Sequence, residues 1–312
     1  MLSPDGLDMQ PSASPLLARL SRCPLPPERK SSIADAIARR EYHKAETDLL
    51  PAINENPSST DLLVVAAGVF FLDREFLNSA IALKKADHIR PLLPPDRLTL
   101  CLAYIALHRG EWARTELERL VRDNPQDAAF EYWLARIDYD ERRYGDAITR
   151  FKKSVELDPK FVKGYDNLGL SLEANGDLDA ALLAYSRAAE LNRQSSSPSP
   201  WPPLNLGALL LRSGREKEAE PLLLEALKYD PANSQAHFRL GLVCEKQGHA
   251  EQGIAELRKA TELDPAFPDA FFAMGRIYRR LGNEAKAEEA FNAFRKLKNT
   301  ANPQLAPSRR SE

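Results

Sequence analysis

The side chains with most chemistry in this 312-residue chain are guanidiniums and aromatic rings, rather than nucleophiles or metal ligands. Toward one end, Arg239, Lys246, Arg276, Arg279 and Arg280 outweigh Glu245 and Asp269. Guanidinium forks in such a cluster suit an acidic segment or a free carboxylate. Tyr132, Trp133, Tyr139, Trp201 and Phe238 are residue types that anchor protein interfaces when exposed. Catalytic patterns are missing. The five histidines (His43, His88, His108, His237, His249) are scattered, none with a second ligand at metal spacing. There is no glycine-rich phosphate loop and no G-x-S-x-G, so no enzymatic role, no cofactor and no metal is expected.

The elements that must position these groups follow from a proline period. Pro57, Pro91, Pro125 and Pro159 stand 34 residues apart, as do Pro231 and Pro265. A fixed period of that length means one small structural unit copied along the chain. Placing the proline at position 32 gives units 26–59, 60–93, 94–127, 128–161, 162–195, 200–233, 234–267 and 268–301, with a loop insertion at 196–199. Position 20 is then always small (Ala45, Ser79, Ala113, Ala147, Ala181, Ala219, Gly253, Ala287). Position 24 is always large and apolar (Leu49, Leu83, Leu117, Phe151, Tyr185, Leu223, Leu257, Phe291). Apolar spacings of three and four predict two antiparallel helices per unit, over positions 2–14 and 17–30. The small residue lets the pair approach, the large one fills the space beside it, and proline closes the second helix.

Two stretches carry a family pattern. Tyr165-x2-Leu168-Gly169-x2-Leu172 is followed by Ala181-x3-Tyr185, and Phe271-x2-Met274-Gly275-x2-Tyr278 by Ala287-x3-Phe291. Over residues 26–301 the chain resembles tetratricopeptide-repeat proteins. The resemblance implies an all-α fold, a right-handed α-solenoid of antiparallel helix pairs whose first helices line a concave groove. It also implies that the groove takes an extended peptide or a partner helix. Residues at the corresponding positions are Tyr132, Trp133, Arg136, Tyr139, Lys163, Asn167, Leu170, Trp201, Asn205, Phe238, Arg239, Arg276 and Arg279. The carboxylate clamp of some family members maps onto Asp166, Leu170, Asn205, Gln235 and Arg239, of which only Asn205 and Arg239 suit it. Asn167 and Asn205 fall in the same position of successive units, where they could bond a peptide backbone.

Composition narrows the class further. A net charge of −2 gives no general pull toward nucleic acid or membrane, and 43% hydrophobic residues suffice for a thin continuous core. Cys23, Cys101 and Cys244 do not make a disulfide framework and fit reduced thiols in the cytoplasm. Asp5, Asp8 and Arg19 argue against an export signal, and Arg22 against lipid attachment at Cys23. Residues 1–25 and 302–312 are expected to be a flexible leader and tail. The apolar run Leu62–Leu72 is too short for a bilayer and reads as a buried first helix. The insertion is expected to divide the array between units five and six, with Trp201 either a contact at the groove rim or part of a plain loop insertion. Asp138 stands where a buried aromatic is expected, and either meets solvent beside Arg136 and Arg142 or breaks the core. Phe294 either folds over the end of the array or joins a self-association surface. The expected function is a non-catalytic protein-interaction scaffold. The alternatives are an accessory, substrate-recruiting subunit of an enzyme encoded elsewhere, and an architectural spacer.

Overall fold

A computed structural model describes residues 13–301, and among them there are 17 helices and no strand. The chain forms two compact units that divide between Asp158 and Pro159. The first contains α1 (Ala13–Leu20), α2 (Pro27–Ala38), α3 (Tyr42–Glu55), α4 (Thr60–Leu72), α5 (Phe76–Ile89), α6 (Pro94–Ala106), α7 (Gly110–Asp123), α8 (Ala128–Asp140) and α9 (Tyr144–Leu157). The second contains α10 (Val162–Ala174), α11 (Leu178–Arg193), α12 (Trp201–Arg212), α13 (Glu216–Tyr229), α14 (Ser234–Lys246), α15 (Ala250–Leu263), α16 (Pro268–Arg280) and α17 (Glu284–Ala301). From α2 onward the helices pair as hairpins: α2/α3 is the first, α8/α9 the fourth, α10/α11 the fifth and α16/α17 the eighth. Within each unit the second helix of one hairpin packs on the first helix of the next.

Local chemistry sets the helix ends. Ser59, Asp127, Asp177 and Asn233 accept a backbone N–H from the first turn that follows, and Pro27, Pro94 and Pro268 open helices where no donor is lost. The turn inside every hairpin needs one left-handed residue. Gly176, Gly214, Gly248 and Gly282 supply it in the second unit, with φ between 73° and 89°. In the first unit the same place is held by Arg40, Arg74, His108 and Arg142, with φ between 56° and 65°.

Packing inside a hairpin is close. A methyl group added at Gly169 would stand 2.5 Å from the Tyr185 ring, and one at Gly275 would stand 2.7 Å from Phe291. Glycine on the first helix therefore makes room for the large residue on the second, a pairing across the hairpin that the small residue at position 20 does not by itself reveal.

Two features differ from the sequence expectations, and a third decides between two alternatives. The stretch expected as a flexible leader is helical from Ala13, and Leu16, Leu20 and Cys23 are buried. The reason lies in α4, whose residues Leu62 to Phe71 are all buried and which offers no polar face. Helix α1 packs on α4, with Leu16 set against Gly68, and Arg19 pairs with Asp96 at 2.8 Å and Asp61 at 3.7 Å. Residues 1–12 and 302–312 lie outside the described residues. Second, the insertion does not separate compact units. Asn192 donates to the Ser199 carbonyl and accepts from its N–H, both at 2.8 Å, and α11 still packs on α12. Third, Asp138 is buried, with Arg114 at 2.8 Å, Arg143 at 2.7 Å and Arg150 at 3.1 Å. It takes the second of its two alternatives, a polar break in the core, served by Arg114 of α7, Arg143 just before α9 and Arg150 of α9.

Candidate partner-binding surface

The first helices of the second unit, α10, α12, α14 and α16, lie side by side and bring most of the candidate residues onto neighbouring elements. Lys163, Asn167 and Leu170 come from α10, and Trp201 and Asn205 from α12. Phe238 and Arg239 come from α14, and Arg276 and Arg279 from α16. Tyr132, Trp133, Arg136 and Tyr139 belong to α8, in the other unit.

The aromatic set needs correcting. Trp133 is only 1% exposed and Tyr132 is buried, so neither ring is available to a ligand. Tyr132 stacks edge-on against Trp133 at 5.2 Å and against Phe151 of α9 at 5.7 Å, which makes both rings core material of hairpin four. Tyr139 is half-buried beside Tyr144 at 5.5 Å. Trp201 is 50% exposed at the start of α12, and Phe238 is half-buried against Phe267.

The asparagine pair is also spent within the protein. Asn167 is buried and donates to the Lys163 carbonyl at 2.9 Å. The Asn205 amide donates to both Asp166 carboxylate oxygens, at 3.0 and 3.1 Å. Leu170 and Lys163 are half-buried.

The arginines fall into three kinds. Arg276 forms a fork with the buried Glu245, at 2.5 and 3.1 Å, tying α16 to α14. Arg279 is exposed and lies over the Phe291 ring at 4.6 Å. Arg239 is half-buried, with its Nη2 at 3.3 Å from Gln235 and its Nε buried without a hydrogen-bond partner. Burial first, then the nearby Arg212 guanidinium, lowers its pKa from the usual arginine range. Arg212 in turn pairs with Glu173, which also accepts from the Tyr185 hydroxyl at 3.1 Å. Sequence reasoning missed Glu173, Arg212 and the pairing role of Glu245. The available signal was an acid near the end of one first helix and a base near the end of the next.

At the end of the second unit, Phe294 packs on Phe272 with ring centres 5.1 Å apart. The three cysteines are free and buried, and burial raises each thiol above its ordinary value, Cys23 to about 11. Such thiols are poor nucleophiles.

One metal-type cluster escaped the sequence reading because its third member comes from the next hairpin. His43, Glu46 and Asp73 offer ligand atoms within 4.8 Å of one another, a donor set that would suit a divalent cation. His43 is exposed, while Glu46 is 4% exposed and its Oε1 has no hydrogen-bond partner. Burial, with Glu75 and Asp73 nearby, raises the Glu46 carboxyl to about 7, so a proton can satisfy the site by itself.

Among the described residues, no helix is long and apolar enough to cross a membrane. A family model described as a tetratricopeptide repeat matches residues 98–160, 135–196, 204–252 and 245–304. One curated relative is a probable biofilm formation methyltransferase, WspC, of Pseudomonas putida, 32% identical over 86 residues. That match takes in 28% of this chain and 20% of the relative. A BBSome complex member, bbs-4, of Caenorhabditis elegans is 30% identical over 146 residues, 44% of this chain and 29% of the relative. The chain thus spans under a third of either curated relative. A crystal structure of a tetratricopeptide repeat protein from Parabacteroides merdae superposes with a TM-score of 0.62 at 15% identity. It covers 80% of this chain and 97% of that one, a likeness of fold.

Proposed function

Because the chain belongs to the tetratricopeptide-repeat family, we propose that it is a non-catalytic scaffold that captures an acidic, extended segment or helix of a partner protein. The proposed seat is the face formed by α12, α14 and α16. The observation that carries this reading is Arg239. Its Nε lacks an acceptor, and its guanidinium lies near a second positive charge on Arg212. A carboxylate seated beside this guanidinium would add an acceptor and a second negative charge to that of Glu173, which already faces Arg212. Trp201 and Arg279, both exposed, would add contact area and charge. The seating of α1 on α4 supports helix capture, since there a first helix already carries a helix from elsewhere in the chain. Reduced, buried cysteines fit a cytoplasmic setting. A second reading, a subunit recruiting substrates to a separate enzyme, is favoured by the partial likeness to a methyltransferase.

Titration calorimetry with a short Glu-rich peptide, once with a free α-carboxylate and once amidated, tests the reading. The full chain should bind the free acid, and Trp201→Ala with Arg279→Glu should weaken it about tenfold without lowering the melting temperature. Equal affinity of the double variant would overturn the proposed seat. Under the substrate-recruiting reading, the same double variant would leave peptide binding unchanged and lower only the turnover of the separate enzyme.

A further inference from the structure

A second, independent surface lies in the first unit, on the second helices of hairpins one to three. A cleft of about 710 Å³ opens between the end of α3, the length of α5 and the start of α7. Its floor is formed by buried Leu63 and Tyr104. Its walls are large apolar side chains that stand in solvent: Leu77 is 60% exposed, Ile81 46%, Ile89 45% and Trp112 57%. Leu77, Ile81 and Ile89 share one stripe of α5, at spacings of four and eight residues. Exposed apolar surface gathered in one concavity marks an interaction site, where scattered single residues would need no explanation.

Trp112 is held ready for contact. Its ring meets Tyr104 edge-on at 5.4 Å and carries the Arg109 guanidinium at 5.4 Å, so little freedom would be lost on binding. Among the residues lining the cleft are two lysines, Lys84 and Lys85, and one histidine, His88, with no carboxylate. Lys84 lies at 3.6 and 3.8 Å from Glu116 and Asp87, long for firm pairs, and stays half exposed.

We propose that this cleft docks an amphipathic helix of a partner protein, with its apolar stripe on Ile81 and Trp112 and an acidic flank along Lys84 and Lys85. Charge selects this occupant over a second copy of the chain, because two such faces would bring the same cations together. Shape selects it over a lipid surface, because a concave cleft receives a ridge and a bilayer presents none. The cleft shares no residue with the proposed peptide seat in the second unit, so either can fail alone.

The test uses the full chain carrying Trp201→Phe, so that Trp112 is the remaining exposed indole. The probe is a synthetic amphipathic helix with a Leu stripe and Glu flanks, beside a twin with Lys flanks. The acidic helix should bind and shift Trp112 emission to the blue. Ile81→Asp should weaken it at least about tenfold, and Lys84→Glu with Lys85→Glu should reverse the preference to the basic twin. Circular dichroism of these surface variants should match that of the parent. No binding, equal binding of the twins, or indifference to Ile81→Asp would overturn the proposal. So would a dimer in light scattering that Ile81→Asp dissolves, or sedimentation with phosphatidylserine vesicles but no peptide binding.

Discussion

Glu46 shows what a single residue can conceal. Its neighbours in sequence mark it as a solvated helix-surface acid, yet folding places it beside Asp73 and Glu75 of the next hairpin. Its folded value, about 7, stands above the ordinary 4.5, so the folded state holds the proton more tightly than the unfolded chain. The stabilisation is complete below the ordinary value and disappears as pH rises through the folded one. Denaturant unfolding should therefore show stability falling between pH 5 and pH 8. Glu46→Gln should stabilise the protein at pH 8 by about 1–3 kcal/mol and change little at pH 5, part of the full shift being screened through exposed His43. A flat profile identical for both proteins would refute this. The same blindness affected the arginines. Composition showed a cationic cluster, but only three-dimensional placement shows that Arg276 is engaged by buried Glu245 while Arg279 remains exposed. Tyr132 and Trp133 were misread because position within a unit does not say how deeply a large ring sinks against its neighbour.

At the scale of the element, much was legible. Small residues at position 20, large ones at 24 and proline at 32 define the helix pair, and helices α4, α6 and α8 begin one residue before the expected places. The left-handed turn was legible only where glycine marks it. Arg40, Arg74, His108 and Arg142 adopt the same conformation without that signature, because the hairpin on either side over-determines the turn. A side chain there costs about 1 kcal/mol relative to glycine. Arg142→Gly, at an exposed turn, should thus raise stability by up to about 1 kcal/mol in urea unfolding. Gly169→Ala should lower it by about 1–3 kcal/mol, since the added methyl collides with the Tyr185 ring. A stable Gly169→Ala protein with unchanged midpoint would mean the hairpin is looser than these distances state. The helix α1 was not legible as a packed element. Its eight residues are too few for a helix stable alone, and the apolar flank of α4, with the Arg19 pairs to Asp61 and Asp96, fixes it.

For the whole molecule, the constant stride announced the repeat and left its division unannounced. The sequence signal for a break was the Ser/Pro-rich insertion, yet Asn192 closes that loop and the compact units divide at Asp158 instead. A repeat protein adds stability hairpin by hairpin, each touching its neighbours, so its faces are free to diverge in chemistry. Here the second unit presents guanidiniums on first helices, and the first unit presents apolar rings and stems on second helices. The central claim is that partner capture occurs on the former. Hydrogen exchange of the full chain, with and without the Glu-rich peptide, measures this directly. The account predicts slowed exchange in α12, α14 and α16, with the second helices α13 and α15 unchanged. Protection confined to α13 and α15, or no protection in the second unit at saturating peptide, would contradict it.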